Sequence, residues 1–156
     1  MGVYCIDTSA LIAAWQESYP PDNFPRVWER LDELIAAGRL VAPIEVLRET
    51  SKRSDELHTW LRERGEMFRE LEEAIQIEAA NVLAHYPRLV GERKLRTSAD
   101  PFVIALARVE RLQIVTDEKP NGNLNRPNIP DVCAALGMPS TLNMLQLIRA
   151  ERWVVG

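Results

Sequence analysis

Val3-Tyr4-Cys5-Ile6-Asp7-Thr8-Ser9 is a short apolar run that stops at an acid followed by two hydroxyl residues. Aromatic and apolar residues in an unbroken run of this length read as a strand buried on both faces, and Asp-Thr-Ser reads as the entry to a helix from Thr8 to about Trp15. A buried strand that feeds a helix opens a βαβ unit. The pattern recurs twice. Leu40-Val41-Ala42 is a second strand, ended by Pro43, which opens the next helix at its first turn. Gln113-Ile114-Val115-Thr116 is another, and it too ends at an acid, Asp117.

Helical spacing fills the intervals. Val27, Leu31, Leu34 and Ile35 mark a helix that stops at Gly38, and Leu57, Trp60 and Leu61 mark one that begins at Ser54-Asp55-Glu56 and closes at Gly65. A longer helix is expected over 69–86, with Leu71, Ile75, Val82 and Tyr86 on one face. Thr97-Ser98-Ala99-Asp100-Pro101 opens a further helix toward Leu112. The Asn-, Gly- and Pro-rich stretch 120–127 is a loop, followed by helices over Asp131–Leu136 and Leu142–Ala150. Trp153-Val154-Val155 reads either as a last strand or as part of a dimer contact. Strands alternating with helices predict an α/β fold whose parallel sheet is covered on both faces.

Composition sets the bounds. With 156 residues, 46% of them hydrophobic and 27% charged, the chain is expected to form one domain spanning 1–156. A chain of this size buries about two-thirds of its unfolded surface. A net charge of -4 argues against holding nucleic acid by bulk attraction, so any such contact needs a local patch. Arg88 and the run Arg93-Lys94-Leu95-Arg96 supply one candidate. The two cysteines, Cys5 and Cys133, sit in apolar runs and read as buried thiols in a reducing compartment. Met1-Gly2 leads into the first strand without a basic leader, and no apolar stretch approaches the ~20 residues that cross a bilayer. A cytoplasmic location without membrane attachment is therefore expected.

The chemistry lies in the separated carboxylates. Side chains at the carboxyl ends of parallel strands converge on one crevice, so Asp7, Glu49, Asp100 and Asp117 can share a site although they are far apart in sequence. Converging carboxylates repel unless a hard cation lies between them, which points to divalent-metal chemistry. Two such ions about 4 Å apart activate a water and stabilise a leaving oxygen in phosphodiester hydrolysis. Each acid also has a purely structural reading. Asp7 and Asp100 can be helix caps, Asp117 an Asx turn into the following loop, and Glu45 and Glu49 a solvated helix face. His58 and His85 sit among ordinary helical residues and make a zinc-histidine site an unattractive alternative. Trp15 and Trp60 read as core before base-stacking platforms.

At these residues the chain resembles the PIN-like nucleases, and more narrowly the small prokaryotic PIN-like proteins related to toxin–antitoxin toxins. The segments that carry the resemblance are Tyr4-Cys5-Ile6-Asp7-Thr8-Ser9, Val46-Leu47-Arg48-Glu49, Ser98 through Ala107, Ile114 through Lys119, and Asn128-Ile129-Pro130-Asp131-Val132-Cys133. Together they cover nearly the whole chain. The resemblance implies a three-layer α/β/α sandwich with a central, mostly parallel sheet, and an acidic pocket that holds Mg2+ or Mn2+ and cuts RNA. It assigns Asp7, Asp100 and Asp117 as metal ligands, with Glu49 joining directly or through water. Asp117, Glu118 and Asp131 all remain candidates for the fourth acid. The basic run Arg93, Lys94 and Arg96 would grip the strand. The resemblance also implies an inhibitory antitoxin partner and a homodimer.

Two other readings compete. A catalytically silent domain of the same kind would bind protein or RNA and keep the acidic pocket as a relic. A phosphatase of the haloacid-dehalogenase type would use Asp7 as nucleophile, but that chemistry wants a second aspartate two positions on, where this chain has Ser9.

Overall fold

Each of the three apolar runs becomes a strand. In the computed structural model, which describes residues 2–89 and 98–156, β1 is Tyr4–Ile6, β2 is Leu40–Pro43 and β4 is Gln113–Val115. A further strand, β3, is Phe68–Arg69. The sheet order is β3-β2-β1-β4, and every pairing is parallel. Cys5 stands opposite Val41 on one side and Ile114 on the other, which fixes the register of the central strand. Thr116 N–H donates to the Leu142 carbonyl and Leu142 N–H to that of Ile114, so a single residue prolongs the sheet past β4.

Helices cover the strands as the alternation requires: α1 (Thr8–Ala13), α2 (Pro25–Ala36), α3 (Ile44–Ser51), α4 (Asp55–Arg62), α5 (Glu73–His85), α6 (Asp100–Glu110), α7 (Ile129–Ala135) and α8 (Met144–Ala150). The result is an α/β/α sandwich around an all-parallel sheet. At its centre, α6 buries Val103, Ile104, Ala105, Leu106 and Ala107 and packs on β1, β2, β4 and α5. A helix that is apolar nearly all round belongs inside the molecule. Arg111, in the left-handed region at φ 59°, ends this helix, and Leu112 N–H bonds back to the Ala107 carbonyl. Gly38 does the same for α2 at φ 71°, as its position after the periodic run predicts.

Two expectations are corrected. The helix expected over 69–86 begins at Glu73, because Phe68 and Arg69 pair with Ala42 and Pro43 to make the edge strand. A strand of two residues is too short to display a period of two. The helix expected over Thr8–Trp15 keeps α geometry only to Ala13 and then widens into a π-helical turn over Ala14–Ser18. In that turn Trp15 meets Trp28 edge-on at 4.8 Å, and Trp28 in turn meets Trp60 at 5.1 Å. These rings pack against the core, as expected. Trp153 and Val155 also rest on the core, and among the described residues the carboxyl end forms no strand.

The amino end of β1 is tied down by charge. Tyr4 hydroxyl donates to Glu151 Oε2 at 2.5 Å, and Arg39 reaches the same oxygen at 2.7 Å while its Nε–H donates to the Gly2 carbonyl. No helix among the described residues is long and apolar enough to cross a membrane.

Candidate functional site

Topology decides where the acids meet. From β1 the chain passes to β2 and β3 on one side, and β4 then returns to pair with β1 on the other. Neighbouring strands whose connections leave in opposite directions create a switch point, and a crevice opens beyond their carboxyl ends. Asp7 is the first residue after β1 and Thr116-Asp117-Glu118 follow β4, so both segments reach that crevice. A helix that leads into a parallel strand starts at the strands' carboxyl end, which brings Asp100, the first residue of α6, to the same place.

Asp7, Asp100 and Glu118 each contribute a carboxylate oxygen, and these oxygens lie within 4.8 Å of one another. Asp7 and Asp100 are buried and Glu118 is half-buried. Asp7 occupies the N-cap position of α1, yet its side chain makes no capping bond. Its Oδ2 instead accepts from Ser9 Oγ at 2.6 Å and from Thr116 Oγ1 at 2.9 Å. The hydroxyls that follow one strand and close the other thereby converge on one carboxylate oxygen. Asp100 is likewise not a cap: Ala99 holds that position, and Ser98 Oγ accepts the Asp100 N–H.

Glu118 owes its place to two backbone contacts. Its N–H donates to Thr116 Oγ1 at 3.1 Å, curling the chain just past β4, and its Oε1 accepts from Ile129 N–H at the start of α7. Asp117 is placed differently. Its N–H donates to Ser9 Oγ, but its side chain is exposed and stands outside the group of three. Asp131 serves the fold: its carboxylate accepts from the N–H groups of Asn121, Gly122 and Asn128 and so gathers the loop before α7. Burial alone would raise its pKa, but these backbone hydrogen bonds outweigh burial and hold it below the usual value.

Glu49 approaches from α3. Thr8, the residue after Asp7, donates its hydroxyl to Glu49 Oε1 at 2.8 Å. Glu45, one turn earlier, pairs with exposed Arg48, and its other oxygen is buried with no hydrogen-bond partner among the described residues. His58 Nδ1 lies 3.1 Å from the Leu47 carbonyl and bridges α4 to α3, and His85 stays on its own helix beside the Asn81 carbonyl. Arg93, Lys94 and Arg96 lie outside the described residues.

The donor set suits a hard cation. All three clustered groups are carboxylates, the ligands that Mg2+ and Mn2+ favour. Oxygens on one Mg2+ lie at most about 4.2 Å apart, so the spread requires only a small contraction. Cys5 and Cys133 are free and buried. Burial, with Asp7 adding to it, pushes the Cys5 thiol well up, and burial followed by Glu118 pushes the Cys133 thiol up to about 12. Neither thiol belongs to the group of three. Beside the acids, sharing Glu118 with them, a cleft of about 440 Å³ opens between the segment after β4 and the starts of α7 and α8.

Fold and site together define an α/β/α protein with an acidic centre at the switch point of a parallel sheet. Residues 4–155 match the family described as Domain of unknown function (DUF4411), and the chain belongs to that family. No curated protein matches it.

Proposed function

We propose that this protein is a divalent-metal-dependent ribonuclease of the PIN-like kind. The observation that carries the reading is the meeting of Asp7, Asp100 and Glu118 within 4.8 Å at the carboxyl ends of β1 and β4. These three residues would hold Mg2+ or Mn2+. The cation, when bound, supplies Lewis-acid chemistry that lowers the pKa of water and offsets charge on the phosphate oxygens. Ser9 and Thr116 orient Asp7, and the start of α7 orients Glu118. Thr8, the residue after Asp7, holds Glu49 by a hydrogen bond, and Glu49 would accept a proton from water. The basic run Arg93, Lys94 and Arg96 lies a few residues before Asp100 and would meet the RNA backbone. Cytoplasmic RNA as substrate, an antitoxin partner and a homodimer come with the PIN-like resemblance and form part of the proposal.

The test is cleavage of labelled RNA by purified wild type and by Asp7→Asn/Asp100→Asn protein in Mg2+, Mn2+ or EDTA, with melting temperature read in the same buffers. The expected result is metal-dependent cleavage and a metal-induced rise in melting temperature, both lost in the variant. Cleavage that survives in the variant or in EDTA would overturn the proposal. Absence of both cleavage and metal response would favour the silent binding domain.

A further inference from the structure

The cleft beside the acids has chemistry of its own. The segment after β4 lines it with Asp117 and Lys119, and the start of α8 lines it with Asn143 and Gln146. Asn143 and Gln146 form a reciprocal capping box: Asn143 Oδ1 accepts the Gln146 N–H, and Gln146 Oε1 accepts the Asn143 N–H, each at 2.8 Å. The cap occupies both amide oxygens. The NH2 groups of the two side chains make no hydrogen bond among the described residues, so each amide keeps its donors available at the cleft. Lys119 adds a cationic donor, and the Asp117 carboxylate, exposed and outside the metal group, adds an acceptor. Pro120 and Met138 add apolar surface to the lining.

We infer that this cleft binds a guanine base of the RNA substrate, with Asp117 accepting from the base N1–H and N2–H2 and the Lys119, Asn143 and Gln146 donors facing O6 and N7. Guanine alone among the four bases offers two adjacent donors to one carboxylate together with two acceptors on its other edge. Single-stranded RNA leaves both of those edges open for reading. Uracil presents one N–H flanked by carbonyls, and adenine and cytosine set a single amino group beside a ring acceptor that would face the carboxylate. Glu118 belongs to both cleft and acidic group, so a base seated here would place a neighbouring phosphate at the acids. The inference rests on the ribonuclease reading for its substrate, yet it assigns Asp117 to specificity where the resemblance assigns it to the metal.

The test uses the four nucleoside 3′-monophosphates as probes, titrated into the full chain in EDTA and followed by backbone amide NMR shifts. Guanosine monophosphate should bind about tenfold or more tighter than the other three, with shifts centred on residues 117–120 and 138–146. Asp117→Asn should erase that preference. Gln146→Glu should also erase it, and this variant keeps an oxygen for the Asn143 N–H, so α8 stays capped. Equal affinity for all four probes, no binding at millimolar concentration, or a preference that survives both variants would overturn the inference. Melting temperature with and without Mn2+ in the same samples separates the two readings. Guanine preference without a metal response would sink the nuclease and leave the cleft, whereas a metal response without guanine preference would do the reverse.

Discussion

The two ends of β1 carry acids in opposite settings. At the amino end Glu151 meets a guanidinium and a phenol: Arg39 lies 2.7 Å away and Tyr4 donates at 2.5 Å. At the carboxyl end Asp7 meets the hydroxyls of Ser9 and Thr116 and lies beside two further carboxylates. One acid is paired with a cation at the first end, and three carboxylates come together at the second. Glu151 is held by a partner of opposite charge, whereas the gathering of carboxylates at the other end is what the proposed divalent cation would stabilise.

That contrast can be broken most severely at the carboxyl end. Asp7→Asn or Asp100→Asn should lower metal-dependent RNA cleavage by about 100-fold or more, since even residues behind a ligand cost 10–100-fold in metal affinity or activity. Cleavage rates at matched metal concentration check this. Arg39→Ala, at the other end, should cost about 2 kcal/mol of stability because it removes hydrogen bonds to a charged group. Denaturant melts would show that loss, and the metal-induced rise in melting temperature should survive it. If the metal response vanished as well, the two ends would not be independent.

A smaller effect probes the neighbour of Asp7. Thr8→Val keeps the β-branched shape but removes the hydroxyl that donates to Glu49, and should slow cleavage by about tenfold. The smallest effect lies in pH dependence. Burial, followed by the Glu151 carboxylate, pushes the Tyr4 hydroxyl from 10.0 to about 12. A folded pKa above the unfolded one means that Tyr4 contributes stability fully below pH 10.0 and loses it as pH rises toward about 12. Tyr4→Phe should flatten that part of the melting profile. Glu151 moves the other way: burial would raise it, but the bonds from Tyr4 and Arg39 and the Arg39 charge hold it below 4.5. Its contribution is present above that value and fades as pH falls through the depressed pKa, so Arg39→Ala should flatten the acid limb.

Most of the sheet was legible because β1, β2 and β4 are short buried runs with clear stops; Asp7 was legible because it stands at such a stop, and Asp100 because it stands at a helix start. The edge strand was not, since Phe68-Arg69 makes pairing that depends on where β2 happens to lie. The fourth acid was ambiguous for a related reason. Asp117, Glu118 and Asp131 crowd the same stretch of chain, and only the fold gives each a surrounding. A local signal for Glu118 did exist. In Thr116-Asp117-Glu118 a threonine hydroxyl can accept an N–H two residues on, and the resulting curl turns the third residue, not the second, toward Asp7. The contribution of Ser9 and Thr116 was less visible still, because it required knowing that β1 and β4 are neighbours.

The left-handed turn at Arg111 has a consequence for how this family can vary in length. The chain leaves the crevice at Asp100, runs along α6 for 11 residues, reverses at Arg111 and returns through β4 to Glu118. One residue added to that path would rotate the helix register by about 100° or invert the strand faces, and either change would separate the acids. Asn123 to Arg126 is exposed loop beyond the Asn121 and Gly122 bonds to Asp131. Insertions and deletions among relatives should therefore be absent from 100–118 and collect in 123–126, so that α6 and β4 act as a gauge block for the centre they span.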